Sequence, residues 1–170
     1  MLDDAGDLRP HWRYVAQVLD SLGHGELAQR RGEGQRLLRE SGVTYSVHGD
    51  ASRLEHPWEL DPIPYLVASD EWAAIESGLM QRAELLNLLL RDIYGPQDLI
   101  RKGILPLELI YAHGGFLRPL QGLPLPGEHS LPFYAADLAR DADGRTWVLD
   151  DRSQAPSGAG YALENRVVMT

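Results

Sequence analysis

The stretch His56-Pro57-Trp58-Glu59-Leu60-Asp61-Pro62-Ile63-Pro64 cannot be helical, and that constrains the chain more than any other feature. Each proline fixes its own φ, lacks an N–H donor and pushes its predecessor into extended geometry. The segment must be an ordered loop or extended arm. The regime changes at Ser69, a good N-cap, followed by Asp70 and Glu71, which suit the positive end of a helix dipole. Trp72, Ile75, Leu79, Leu86, Leu89 and Ile93 then recur on one apolar face. This pattern predicts a long helix ending at Tyr94-Gly95-Pro96.

Upstream, Trp12, Val15, Leu19 and Leu22 recur at helical spacing from Pro10, and Gly23 supplies a stop signal. A second helical pattern runs from about Glu26 to Glu40. Gly32 and Gly34 lie inside it, each costing about 1 kcal/mol relative to alanine, so a bend or break is expected there. Val43-Thr44-Tyr45-Ser46-Val47 alternates and reads as a strand that Gly49-Asp50 ends.

Downstream, short helices are expected at Gln97 to Arg101 and Pro106 to Ala112, with turns at Gly103 and Gly114-Gly115 and a loop from Pro119 to Gly127. Pro132 to Leu138 and Arg145 to Leu149 flank Arg140-Asp141-Ala142-Asp143-Gly144 and read as an antiparallel pair, because Asp-Gly is a strong hairpin signal. Asp150-Asp151 ends the second strand. A last helical pattern begins near Tyr161 and runs to Met169.

Composition narrows the function. The chain has 170 residues, 44% of them hydrophobic, and a formal net charge of -9. That field repels nucleic-acid phosphate, and the lysines and arginines are scattered, so no nucleic-acid partner is expected. The absence of cysteine excludes disulfides, thiolate catalysis and thiolate metal sites. The acidic start MLDDAGDLRP is unlike a secretory signal, and the apolar runs are only a few residues long, so the expectation is a cytoplasmic chain with no membrane partner.

Motifs exclude more than they assign. The six histidines, at 11, 24, 48, 56, 113 and 129, show no i,i+4 pairing that would suit zinc. Asp141, Asp143 and Gly144 lack the later ligands of a calcium loop and read as a turn. The glycine patterns of hydrolases, dinucleotide-binding folds and P-loops are missing. The C-terminal end carries chemistry of a different kind. A strand ending in Asp150-Asp151 delivers hard oxygen ligands beside the glycine-bearing turn Gln154-Ala155-Pro156-Ser157-Gly158-Ala159-Gly160, whose amides could meet phosphate, an arrangement suited to Mg-nucleotide.

Gly42-Val43-Thr44-Tyr45, Gly49-Asp50, Pro57-Trp58, Leu60-Asp61-Pro62-Ile63-Pro64, Glu71-Trp72, Gln81-Arg82, Asp92-Ile93-Tyr94-Gly95, Pro156-Ser157-Gly158 and Leu163-Glu164-Asn165-Arg166 occur in that order. The set resembles the circularly permuted ATP-grasp family, type 2, over residues 37–170. The resemblance implies a fold related to glutathionylspermidine synthase, with ATP and Mg²⁺ as cofactors and unknown carboxylate and amine substrates, a peptide among the candidates. It points to Asp61, Ser157, Gly158, Glu164, Asn165 and Arg166 as cofactor-binding residues and to Asp150 as a metal ligand. The family pattern has Glu-x-Asn-x-Arg where this chain has Asp150, Arg152 and Gln154, so only the first position keeps its chemistry.

The expected fold is therefore mixed α/β. Residues 1–36 would form an N-terminal helical segment and residues 37–170 the N-terminal portion of a permuted ATP-grasp domain, with a long central helix and a small mixed sheet. Long members of the family run several times this length, often with a helical alpha-E domain. The resemblance thus implies an N-terminal fragment of a carboxylate–amine ligase-like protein, inactive alone. The rival expectation is a non-catalytic binding or scaffolding module with a degenerate ATP-grasp site.

Overall fold

In the computed structural model, which describes residues 2, 5–46, 55–124, 127, 129–141 and 143–169, the switch from extended arm to long helix falls at Ser69. The same point divides the chain into two units, Met1–Ser69 with Ser157–Thr170, and Asp70–Pro156. The fold class is mixed α/β, as expected. Strand content is divided between two separate antiparallel pairs, because each pair joins strands adjacent in sequence.

In the first unit a 3-10 turn at Pro10–Trp12 leads into α1, Arg13–Glu40. Trp12 and Leu38 are its buried anchors. Gly23, at φ 70° and ψ 170°, kinks α1 into two helical runs, a conformation open essentially to glycine alone. The expected second break does not occur: Gly32 and Gly34 stay helical. A local pair spans Gly32, with Gln29 Nε2 donating to Glu33 Oε1 at 3.0 Å, and Arg36 pairs with Glu40 at 2.9 Å just beyond Gly34.

Strand β1, Thr44–Ser46, pairs antiparallel with β2, Glu55–Pro57, placing Tyr45 opposite His56. The Trp58 N–H donates to the Val43 carbonyl at 3.1 Å and extends the pairing past Pro57, which ends the strand because it has no N–H to give. Val47 and Gly49-Asp50 lie outside the described residues. The unit closes with α5, Gly158–Met169, which packs on α1. A Cβ on Gly34 would stand 3.4 Å from Val168 Cγ1, so the glycine permits close approach of the two helices.

The second unit is built on α2, Ser69–Tyr94. Asp92 ends it productively: its two carboxylate oxygens accept the N–H groups of Asp98 at 2.8 Å and Leu99 at 3.0 Å, opening α3, Asp98–Arg101. A Cβ on Gly95 would meet the Arg91 carbonyl at 2.6 Å, so only glycine allows the chain to turn there. α4, Leu107–Tyr111, and a 3-10 turn at Arg118–Leu120 follow.

The hairpin β3, Ala135–Arg140, and β4, Thr146–Arg152, completes the unit. β4 continues from the expected run to Leu149 through Asp150-Asp151, where the strand was expected to end, and on to Arg152, because residues 150–152 find cross-strand partners in Asp137, Ala136 and Ala135. The apolar stripe of α2 is shared between two surfaces. Ile75 and Leu79 line a cleft with Leu138 and Val148, while Leu86, Leu89 and Ile93 line a groove with Leu109, Ile110, Phe116 and Leu131. Trp72, assigned to the same stripe from its spacing, is 51% exposed.

Candidate functional site

The end of β4 brings together Asp150, Asp151 and Arg152 with Asp137 of β3 and Arg82 of α2. Register places Leu138 opposite Val148 and Asp137 opposite Asp150, leaving Leu149 as an extra residue, a β-bulge. Beyond it, Asp151 accepts two hydrogen bonds from Arg82 of α2, Nε to Oδ1 and Nη2 to Oδ2, both at 2.6 Å. Such a fork matches the planar guanidinium to the planar carboxylate. The Tyr134 hydroxyl donates to the same Oδ1 at 2.6 Å.

These contacts set the proton affinities. Arg82, and after it Tyr134, hold Asp151 below the ordinary carboxylate range. Desolvation, reinforced by the Asp151 carboxylate, pushes Tyr134 up to about 12. Asp137 is lowered by its hydrogen bonds from Arg152, the shortest at 2.6 Å. Asp150 is exposed, and its Oδ1 accepts the N–H of Asp151 at 2.9 Å.

Asn87 of α2 holds the segment that leads to Tyr134. It is 4% exposed, and its Oδ1 accepts the N–H groups of Ser130 at 2.8 Å and Leu131 at 3.2 Å. That clamp fixes the approach of the segment that delivers Tyr134. Arg82 stood out in the sequence only as part of the Gln81-Arg82 motif, with no role given to it, and Tyr134 and Asn87 were not singled out. The available signal was Asn87 itself, one amide inside the leucine run of residues 85–90.

In the first unit the residues expected to bind cofactor occupy α5 and the arm. Ser157 immediately precedes α5 and Gly158 begins it, with its carbonyl-bearing neighbour Ser157 accepting the Gly160 N–H at 3.2 Å. Nothing lies within 4 Å of where a Cβ on Gly158 or Gly160 would stand. Glu164, Asn165 and Arg166 are consecutive on the helix, so their side chains leave it about 100° apart. Asn165 is engaged by Trp58, whose indole Nε1–H donates to its Oδ1 at 2.7 Å. Asp61 closes a local turn, its Oδ1 accepting the Ile63 N–H at 2.9 Å.

Among the described residues no group of three or more His, Asp or Glu side chains could hold a metal ion. The described residues therefore build no self-contained cation cage. Magnesium on a nucleotide needs less, one or two carboxylates with phosphate oxygens supplying the rest, and exposed Asp150 suits that lesser part. Arg152 is committed to Asp137, and Gln154 lines the apolar groove. Asp141, whose Oδ2 accepts the Trp147 indole N–H at 2.8 Å, shapes the hairpin turn. No helix among the described residues is long and apolar enough to cross a membrane.

Residues 64–170 match the family described as circularly permuted ATP-grasp type 2. An uncharacterized protein of Mycobacterium tuberculosis is 39% identical over 176 residues, covering 99% of this chain and 20% of the relative. An uncharacterized Synechocystis protein is 38% identical over 164 residues, covering 96% and 34%. A Frankia alni protein whose name proposes a glutamate–cysteine ligase is 34% identical over 168 residues, covering 98% and 19%. The chain thus spans between about one fifth and one third of these relatives' lengths. The Frankia name describes a protein most of which lies outside the match.

Proposed function

Because the chain belongs to the circularly permuted ATP-grasp type 2 family, we propose that it forms the nucleotide-binding part of a carboxylate–amine ligase. In that reaction a carboxylate oxygen attacks the γ-phosphorus of ATP and ADP leaves. The amine nitrogen then attacks the acyl carbon, phosphate departs, and the nitrogen loses its proton. Bound Mg²⁺ supplies charge neutralisation along the phosphates.

The observation that carries this reading is the opening of α5. A twelve-residue helix begins at Gly158 with Gly160 close behind, and the space beside both is clear, so an anion can approach backbone N–H groups at the positive end of the helix. Ser157 adds a hydroxyl there. Glu164 and Arg166 lie further along the same helix, about 200° apart around its axis, and Asp61 and Asn165 serve as positioning groups through the contacts already described. Within the second unit taken by itself, exposed Asp150 is the carboxylate that the family resemblance proposes for a divalent cation. The substrates, a peptide acceptor included, belong to the reaction of the longer proteins, so the reading predicts nucleotide binding by these 170 residues and no turnover.

Isothermal titration of the purified chain with Mg-ATP tests this. Saturable binding that weakens in Asp150→Ala and in Gly158→Val supports it. A folded sample that takes up no Mg-ATP overturns it in favour of a binding or scaffolding module. That alternative draws on the exposed apolar side chains of α2, where Trp72, Met80, Leu85 and Leu88 are each more than half exposed.

A further inference from the structure

Asp150 and Asp151 are chemically identical, and the bulge at Leu149 decides which of them faces α2. Side chains alternate along a strand, so a regular β4 with Val148 facing inward would also turn Asp150 inward and Asp151 away. The extra residue resets the count. Asp151, opposite Ala136, falls on the face of Val148 and Leu138 that lines the cleft with α2, while Asp150 falls with Asp137 on the other. Leu149 itself is 68% exposed.

Either acid could satisfy an arginine fork, so the register needs more than Arg82. Tyr134 supplies it, because its hydroxyl reaches the same Asp151 oxygen that Arg82 Nε holds. Arg152 removes the remaining conflict by pairing with Asp137, which would otherwise face Asp150 charge to charge. We propose that Arg82 and Tyr134 are positioning residues that lock the bulged register of β4 and so present Asp150, rather than Asp151, as the outward carboxylate for a nucleotide-bound divalent cation. The cation half of this rests on the reading of Asp150 given above.

The test compares the wild-type chain with Arg82→Gln, Tyr134→Phe, Asp150→Asn and Asp151→Asn by two independent readouts. The first is NMR, without nucleotide, following the cross-strand contacts of Ala136 with Asp151 and of Arg140 with Thr146. The second is titration with Mg-ATP. Arg82→Gln is expected to lose or shift the first contact while keeping the second at the hairpin tip, and to weaken Mg-ATP binding by about tenfold or more. Tyr134→Phe does the same to a smaller extent, and Asp150→Asn weakens binding with the register intact.

An unchanged register in Arg82→Gln overturns the proposal, whether or not nucleotide binds. If the register depends on Arg82 but the wild-type chain binds no Mg-ATP, the nucleotide reading and the role of Asp150 both fall, and the hold of Arg82 on the register stands. Should Arg82→Gln fail to fold, Arg82→Lys keeps the charge, removes the fork and gives the same readouts.

Discussion

The indole N–H of Trp58 donates to Asn165 Oδ1 at 2.7 Å, joining residues 107 positions apart. Tyr161 sits beside the pair, its ring centroid 4.4 Å from that of Trp58, and its hydroxyl donates to the Thr44 carbonyl at 2.9 Å. Together these contacts fasten α5 to the proline arm and to β1. Removing the amide leaves a part-buried indole N–H without its acceptor, so Asn165→Ala should cost about 1–2 kcal/mol. Urea unfolding followed by tryptophan emission checks this. A loss of Mg-ATP affinity with no loss of stability would instead make Asn165 a direct ligand.

Asn87 gives the corresponding prediction for the second unit. Its single carbonyl oxygen serves two N–H groups, and the residue is almost fully enclosed. Asn87→Leu fits the leucine-rich helix but strands both donors, and should destabilise the unit by about 2–4 kcal/mol. Amide exchange at Ser130 and Leu131 should accelerate more than exchange along α2. Equal acceleration everywhere would show that the amide acts through global stability alone.

What the sequence made legible was local. Prolines 57, 62 and 64 and the helical period after Ser69 act within a few residues, so the arm, α2, the short helices and the hairpin could be anticipated. The end of β4 near Asp150-Asp151 could be anticipated, but the pairing with Ala135–Asp137 that carries it to Arg152 could not, because aspartate disfavours strands and the pairing lies outside the local pattern. The paired acids were visible as a pair. Which one turns toward Arg82 depends on a bulge, a property of register between two strands, and on a partner 69 residues away. The continuity of α1 through Gly32 and Gly34 was likewise decided by neighbours, the i,i+4 pairs and the packing of Val168.

Acid should loosen the second unit at the hairpin. Asp151 is lowered by Arg82 and then Tyr134, Asp137 by Arg152, and Asp141 by the Trp147 indole and then the Arg145 amide. A carboxylate with a depressed folded value adds stability that is present above its unfolded value, near 3.8, and lost as pH falls below it. The indole N–H resonance of Trp147 should therefore shift and broaden in that window, and the effect should come at higher pH in concentrated salt, because these pairs are largely exposed and screened. Tyr134 works at the opposite end. With its value raised to about 12, its contribution is complete below the unfolded value of 10 and lost as pH rises through the raised one.

Two glycines of α1 should respond oppositely to alanine. Gly23 holds φ 70° and ψ 170°, which a Cβ makes costly, so Gly23→Ala should either destabilise the first unit by about 1–3 kcal/mol or straighten the kink. Gly32 is helical, and nothing lies within 4 Å of its Cβ position. There alanine adds helix propensity without a clash, so Gly32→Ala should stabilise by about 0.5–1 kcal/mol. Chemical denaturation of both variants checks the signs. If Gly23→Ala were neutral while helical circular dichroism rose, the kink would be a preference of glycine and not a requirement of the packing between α1 and the elements around it. A destabilised variant with unchanged helicity would show that the packing of the unit holds the bend in place even against a strained alanine.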